Sequence, residues 1–265
     1  QILLERARFS PCEIDGKNGE NFQKALQAFA EANNLPLDHG RLTADVESKL
    51  NQAGGGDPVL TTYRITDADM RGPFLKRLPH KMEAMKALSH LGYTSPREEL
   101  AEKFHMSQAL LGALNPGAHF DQSGQALNVV NVAGKADKQP QVARIEIDKE
   151  RQTLKAFNDA GDLMLFDPAT VGSEEKPTPS GTLKVVSVDR NPWYRYDPNY
   201  RFKGVKSRKP FKIRPGPNNP VGTVWIGLSD KGYGIHGTAE PSNISKAESH
   251  GCVRLTNWDA ERLAA

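Results

Sequence analysis

Two histidines and one cysteine near the carboxy terminus are the residues of this sequence whose types and spacing could do chemistry. His236 lies in Gly232-Tyr-Gly-Ile-His-Gly-Thr238 and Cys252 in Ser249-His-Gly-Cys-Val-Arg254, with His250 two residues before the thiol. A thiol, with a reference pKa of about 8.5, is a weak nucleophile until it loses its proton. A neighbouring imidazole can accept that proton and leave a thiolate able to attack a carbonyl. The imidazole then returns a proton to the leaving amine, provided its other nitrogen is held in one tautomer. Gly251 permits a tight turn that turns backbone N–H groups toward a developing oxyanion. One cysteine with two histidines and adjacent glycines, flanked by strands, reads as cysteine acyl transfer.

Blander readings of the same residues are weaker. A zinc site on His236, His250 and Cys252 lacks a paired CxxC or HxxxH grip and a fourth ligand. A buried structural thiol is the default for a lone cysteine, but the flanking His and Gly residues argue against it. A disulfide between Cys12 and Cys252 would join different sequence units. His39, His80, His90, His105 and His119 carry no signal and read as solvent-facing or capping residues.

The elements that must position these residues change character along the chain. Phe22, Ala25, Leu26 and Phe29 recur at helical spacing, followed by a stop at Asn33-Asn34-Leu35-Pro36. Thr43 is placed to cap a second helix carrying Val46 and Leu50, and Gly54-Gly55-Gly56-Asp57-Pro58 breaks the structure. Ser95-Pro96-Arg97-Glu98 reads as a capping box before Leu100, Ala101 and Phe104, and Ser107 as the cap of a helix carrying Leu110, Leu111 and Leu114. From about Gln141 the pattern alternates. Residues 143–148 and 153–157 form a predicted hairpin, with further strands at 163–166, 181–188 and 221–228. Residues 189–220 read as a long loop bordering a site, and a helix begins at Trp258.

Three stretches resemble known families. "FSPCEIDGKNGENFQKALQAFAEANNLPLDHGRLTADVESKL" resembles the peptidoglycan-binding three-helix module of cell-wall enzymes, whose pattern usually has Gly where Cys12 stands. "LAEKFHMSQALLGALNPG" resembles the helical heart of a LysM glycan-binding module; "ALNVVNV" (126–132) is its candidate closing strand, and no usual opening strand precedes Ser95. "IHGT" followed by "SHGCVRL" is similar to the catalytic text of YkuD-type L,D-transpeptidases, and "TPSGTLKV" and "PGPNNPVGTVWIGLSDKGYGIHG" extend the likeness across 142–265.

The resemblance implies roles. Cys252 is the expected nucleophile and His236 the general base, oriented by the Gly237 carbonyl. Ser249, His250 and Gly251 shape the site, with N–H groups around Gly251 and Cys252 as the oxyanion hole. Arg254 is the candidate for a substrate carboxylate, against the alternative of a surface ion pair; Tyr233 and Trp225 are cleft candidates that could equally be packing. The implied reaction is peptidoglycan L,D-transpeptidation. The thiol attacks the L,D-bond of a stem tetrapeptide, and the resulting thioester passes to an amine, giving a 3→3 cross-link or anchoring an envelope protein. Water as acceptor makes it an L,D-carboxypeptidase; a non-catalytic wall-binding protein is the alternative from another class, and papain-like protease text is absent. No metal or organic cofactor is implied. The expected partners are stem peptides and glycan, with carbapenem β-lactams as inhibitors.

The expected architecture is multidomain α+β. A helical module (1–56) precedes a linker with the LysM-like segment (57–134) and an all-β sandwich catalytic domain (140–265). The formal net charge of +3 is too small to argue for nucleic acid, and no apolar run approaches the roughly 18 residues of a membrane span. The sequence opens at Gln1 without a signal-peptide pattern and is expected to be a processed or trimmed form of an exported, periplasmic or wall-facing protein.

Overall fold

The computed structural model describes residues 1–133, 141–200 and 205–265. Its helices are α1 (Ile2–Arg6), α2 (Glu20–Ala32), α3 (Ala44–Ala53), α4 (Met82–Met85), α5 (Pro96–Lys103), α6 (Gln108–Leu114) and α7 (Asn257–Leu263). The first strands are β1 (Leu60–Arg64), β2 (Ala126–Val130), β3 (Arg144–Asp148), β4 (Thr153–Phe157) and β5 (Leu163–Pro168). They are followed by β6 (Val185–Arg190), β7 (Tyr194–Tyr196), β8 (Phe211–Ile213), β9 (Val224–Leu228), β10 (Gly234–His236) and β11 (Val253–Arg254). Two compact units form, one from Gln1–Met70 with Leu100–Ala169 and one from Arg71–Glu99 with Thr170–Ala264. The link expected between the second and third segments, 135–139, lies outside the described residues, as do residues 201–204 of the long loop.

In the first unit the apolar stripe of α2 meets α1 and α3 through Leu4, Leu26, Phe29, Val46 and Leu50. Phe9 stands edge-on to Phe29 at 5.2 Å and stacks on Phe166 of β5 at 6.3 Å. Backbone bonds from Ser10 N to Phe166 O (2.8 Å) and from Phe166 N to Arg8 O (3.0 Å) fasten the antiparallel sheet β3-β4-β5 to these helices. That sheet therefore groups with the amino-terminal residues, while the other strands of the β-rich carboxy-terminal part lie in the second unit. Thr43 and Ser107 cap their helices as expected, accepting from Val46 N and Leu110 N.

A second core in this unit gathers Ile65, Leu100, Met106, Leu111, Leu127 and Val129. Here β1 pairs antiparallel with β2 from Leu60↔Val130 to Arg64↔Ala126, with α5 and α6 between them in sequence. Strand β1 therefore precedes Ser95, where the sequence showed no opening strand, and pairs with the expected strand at 126–132. It lies far upstream, because residues 71–99 leave this unit altogether.

Cys12 is buried at 2% exposure with φ +62°, its sulfur 3.9 Å from Pro168 O. The left-handed backbone explains why glycine suits this position. Both cysteines are free thiols, so the disulfide reading falls. His105 also departs from expectation: it is half-buried, with Nδ1 2.9 Å from the buried Glu5 carboxylate.

The Gly54–Pro58 breaker is held down by Arg6. Its buried guanidinium donates to Asn131 O (2.7 Å), Gly54 O (3.2 Å), Asp57 O (2.8 Å) and Pro58 O (2.7 Å).

The second unit is built on a four-stranded sheet ordered β11-β10-β9-β6, in which only the β10–β11 pair is parallel. Ile226, Ile235 and Val253 are buried, as are Trp258, Ala260 and Leu263 of α7, whose first turn is capped by Thr256. Strands β7 and β8 form a hairpin. Residues 71–99, expected within the middle segment, are built into this unit. Leu91 N bonds Pro215 O at 3.1 Å, and Asn218 reaches Leu91 O, Gly92 O and Glu98 Oε1. Glu83, on α4, accepts from Lys206 N (2.6 Å) and Ser207 N (3.2 Å).

Replacing Arg6 by Ala takes a donor from four carbonyls, of which Pro58 O keeps Asn131 Nδ2 at 3.1 Å, and should cost about 2–4 kcal/mol of stability. Lys should recover little, since a point charge cannot fork across four acceptors. Thermal unfolding monitored by circular dichroism checks this; an Arg6→Ala variant melting within about 1 °C of the parent would refute it.

Candidate active site

Strand register brings the reactive residues together. In the parallel pair Ile235 lies opposite Val253 and His236 opposite Arg254, so Cys252 enters β11 beside the Gly234 end of β10. The antiparallel pair on the other side sets Trp225 opposite His236 and Gly227 opposite Gly234. Directly opposed residues share a face of the sheet. The Trp225 indole stacks on the His236 ring, with centroids 5.6 Å apart and planes 18° from parallel. It also covers both glycines: a Cβ on Gly234 would lie 2.6 Å from Trp225 Cζ2, and one on Gly227 3.2 Å from Trp225 Nε1.

His236 is 4% exposed, and its Nδ1 lies 2.7 Å from the Gly237 carbonyl oxygen. A carbonyl only accepts, so Nδ1 carries the proton and Nε2 is left as the basic nitrogen. Burial and the Arg254 charge push the imidazole pKa down to about 3, against the Gly237 bond, which favours protonation. Gly237 is itself fixed, because a Cβ there would meet Asn257 Oδ1 at 2.2 Å. Asn257 Oδ1 also accepts from Thr223 N at 3.1 Å. Sequence reasoning passed over Asn257, whose only signal is its place just after the helix cap.

The loop carrying Cys252 is pinned at both ends to residues 170–173. Ser249 N donates to Val171 O (2.9 Å) and Ser173 N to Ser249 O (3.1 Å), while Arg254 and Thr170 exchange backbone bonds of 2.9 and 3.0 Å. Inside the loop, Ser249 Oγ donates to Cys252 O at 2.5 Å and accepts from Gly251 N at 3.1 Å. Gly251 has φ +104°, and a Cβ there would strike Tyr233 Cε1 at 2.6 Å. Ser249, Gly251 and Tyr233 therefore shape the turn, and the Gly251 N–H is already engaged.

Cys252 is half-buried, with Sγ 3.7 Å from Gly232 O. Burial raises its pKa above the ordinary thiol value, although the Gly234 N–H and the Arg254 charge favour the thiolate. The resting pair is thus a neutral thiol and a neutral imidazole. Burial and the charges of Arg254 and Lys176 also lower the pKa of His250, with Glu175 opposing. Arg254 donates to Glu248 O at 3.4 Å and forms no ion pair among the described residues, contrary to the surface-pair alternative.

Tyr194 was missed inside the long loop. It opens the β7–β8 hairpin near Cys252 and Arg254, and its hydroxyl is buried without a hydrogen-bond partner among the described residues. Burial, then the thiolate charge of Cys252, pushes its phenol pKa well above the usual tyrosine value. Among the described residues no group of three His, Cys, Asp or Glu side chains is arranged to hold a metal.

The sequence pattern of the YkuD family, the L,D-transpeptidase catalytic domain, matches residues 142–265. A Bacillus licheniformis protein named as L,D-transpeptidase YkuD is 28% identical over 168 residues, 63% of this chain and 86% of that protein. The Bacillus subtilis protein of the same name is 28% identical over 167 residues, 63% and 84% of the two chains. Escherichia coli YbiS, also named as an L,D-transpeptidase, is 29% identical over 181 residues, 65% of this chain and 57% of that one. Among solved structures, L,D-transpeptidase 3 from Mycobacterium tuberculosis covers 52% of this chain and 69% of its own at 17% identity, with a TM-score of 0.36, too slight a likeness to bear on the fold.

Alkylation of Cys252 by iodoacetamide should keep rising with pH past the ordinary thiol range. Arg254→Gln should move the midpoint higher, because it removes a charge that favours the thiolate. Peptide mapping separates Cys252 from Cys12; a rate flat between about pH 6 and 8 would reveal a thiolate–imidazolium pair instead.

Proposed function

We propose, from the premise that residues 142–265 belong to the YkuD family of L,D-transpeptidase catalytic domains, that this chain is a peptidoglycan L,D-transpeptidase working through Cys252. The observation that carries the mechanism is His236 on β10, its Nδ1 tied to the Gly237 carbonyl and its Nε2 unprotonated, one strand from the loop that bears the thiol.

As the Cys252 sulfur attacks the carbonyl carbon of the L,D-bond in a stem tetrapeptide, His236 Nε2 takes the thiol proton. The carbonyl oxygen becomes an oxyanion; with the Gly251 N–H bound to Ser249, the Cys252 N–H is the loop amide assigned to it. Collapse breaks the C–N bond, the departing D-amino acid takes the proton from His236, and a thioester remains. An acceptor amine then forms the new amide bond, and Cys252 leaves as the sulfur it was. The neutral resting pair suits this concerted exchange, because each proton moves only when a bond forms or breaks. Arg254, without a carboxylate partner among the described residues, is assigned to a carboxylate of the donor stem.

Stem peptides as substrate imply action outside the cytoplasmic membrane, in the periplasm or wall-facing space. The described residues contain no helix long and apolar enough to cross a membrane. The α1–α3 helices and the β1-α5-α6-β2 arrangement are assigned to peptidoglycan attachment, which raises local substrate concentration. A β-lactam carbonyl, attacked in the same way, would leave a stable acyl-enzyme.

Intact-mass measurement after incubation with a carbapenem, and separately with a disaccharide-tetrapeptide, tests the reading. The parent should gain one adduct and produce a dimeric muropeptide. Cys252→Ala should do neither, and His236→Ala should acylate about 10²–10⁴-fold more slowly. Tetrapeptide trimmed to tripeptide without dimer would move the activity to L,D-carboxypeptidase; neither adduct nor product would leave only wall binding.

A further inference from the structure

The row of residues through His236 continues across the whole sheet. Asp189 on β6 lies opposite Trp225, Trp225 opposite His236, and His236 opposite Arg254. Four strands therefore place an anion, an indole, the basic imidazole and a cation side by side, Asp189 and Arg254 being about 14 Å apart by strand spacing. The next row is Ser187, Gly227 and Gly234, leading to Cys252. Its side-chain atoms fix which face is involved. A Cβ on Gly227 would lie 2.6 Å from Ser187 Oγ, and Ser187 Oγ donates to Asp189 Oδ2 at 3.2 Å. Asp189 is thus on the face that carries Trp225 and His236, its carboxylate steadied by a serine. It is exposed and forms no ion pair among the described residues.

The two ends of this row suit the two halves of the proposed reaction. The donor stem brings carboxylates and is drawn to Arg254. The acceptor is an amine, cationic at neutral pH, which Arg254 repels. We infer that Asp189 is the specificity-determining residue for the acceptor, binding its ammonium on the β6 side of Trp225 while the acyl group sits on Cys252. This deepens the transpeptidase reading and rests on it. The step balances as follows. The ammonium, drawn in at Asp189, gives one proton to solvent as it leaves the carboxylate and moves the roughly 10 Å of two strand spacings past Trp225. The free amine then attacks the thioester carbon and passes a second proton to His236 Nε2. The C–N bond forms as the C–S bond breaks, and the departing thiolate takes the proton from His236. Water, carrying no charge, needs nothing from Asp189, so the carboxylate favours aminolysis over hydrolysis.

The alternative is that Asp189 only guards an exposed edge strand against pairing with another chain. The full chain, given disaccharide-tetrapeptide as donor and acceptor, distinguishes the two through its ratio of dimer to tripeptide. Asp189→Asn should lower that ratio about fivefold by raising KM for the acceptor rather than lowering kcat, the size expected of one solvent-exposed charge pair. Asp189→Lys should lower it further, Asp189→Glu should restore it, and added salt should shrink the difference. Matching melting temperatures exclude misfolding. A parent that acylates and cross-links while Asn and Lys variants keep its ratio overturns the acceptor assignment alone. A parent that does neither overturns the transpeptidase reading and this inference with it.

Discussion

A buried imidazole that must act as a base has to be held by one nitrogen and left open at the other, and the bond from His236 Nδ1 to the Gly237 carbonyl does both. A carboxylate in that place would stabilise the imidazolium and draw the proton from the thiol at rest. A carbonyl brings no full charge, so burial and Arg254 keep His236 neutral. Much of the second unit follows from this constraint. Asn257 crowds Gly237 from the start of α7, Trp225 stacks on the ring, and a side chain is excluded at Gly234 by the indole and at Gly227 by Ser187 Oγ together with the indole.

The thiol is subject to the same economy of charge. Burial holds Cys252 in its less reactive thiol form, and the Gly234 N–H and Arg254 oppose it. A thiol kept protonated until a carbonyl is in place resists adventitious oxidation, since the thiolate is the reactive form. Arg254 works against protonation of His236 and in favour of the thiolate of Cys252. The first effect opposes and the second favours proton transfer from sulfur to nitrogen, so on that step the guanidinium largely offsets itself while keeping the imidazole neutral at rest.

The residues of the candidate site were legible because they lie on short, glycine-bounded stretches whose strands turn out to be neighbours. The helical caps at Thr43 and Ser107 were legible for the same local reason. What stayed hidden depends on distance along the chain. Strand β1 lies some way before its helices because residues 71–99 are built into the other unit. Tyr194 lies in a stretch whose composition reads as loop, although β7 pairs there with β8. Sheet β3-β4-β5 alternates like the later strands, and nothing in that pattern tells that Phe166 stacks on Phe9. Cys12 shows the reverse case: its left-handed backbone explains a position where glycine is usual, once φ is known.

The exchange of segments between the two units also bears on how the carboxy-terminal catalytic text should be treated. The match to the family pattern begins at residue 142, yet β3, β4 and β5 pack on the amino-terminal helices, and residues 71–99 supply Leu91, Gly92 and Glu98 to the bonds that hold Asn218. Asn218 neighbours Pro217, whose carbonyl accepts from Asn257 Nδ2 at 3.2 Å. A chain of contacts thus runs from the middle of the sequence to the residue that crowds Gly237. A fragment cut at residue 134 would lose the first links of that chain while keeping every side chain of the candidate site. The second unit is therefore not the same as the stretch that matches the family pattern, and the contacts around Gly237 draw partly on residues outside that stretch.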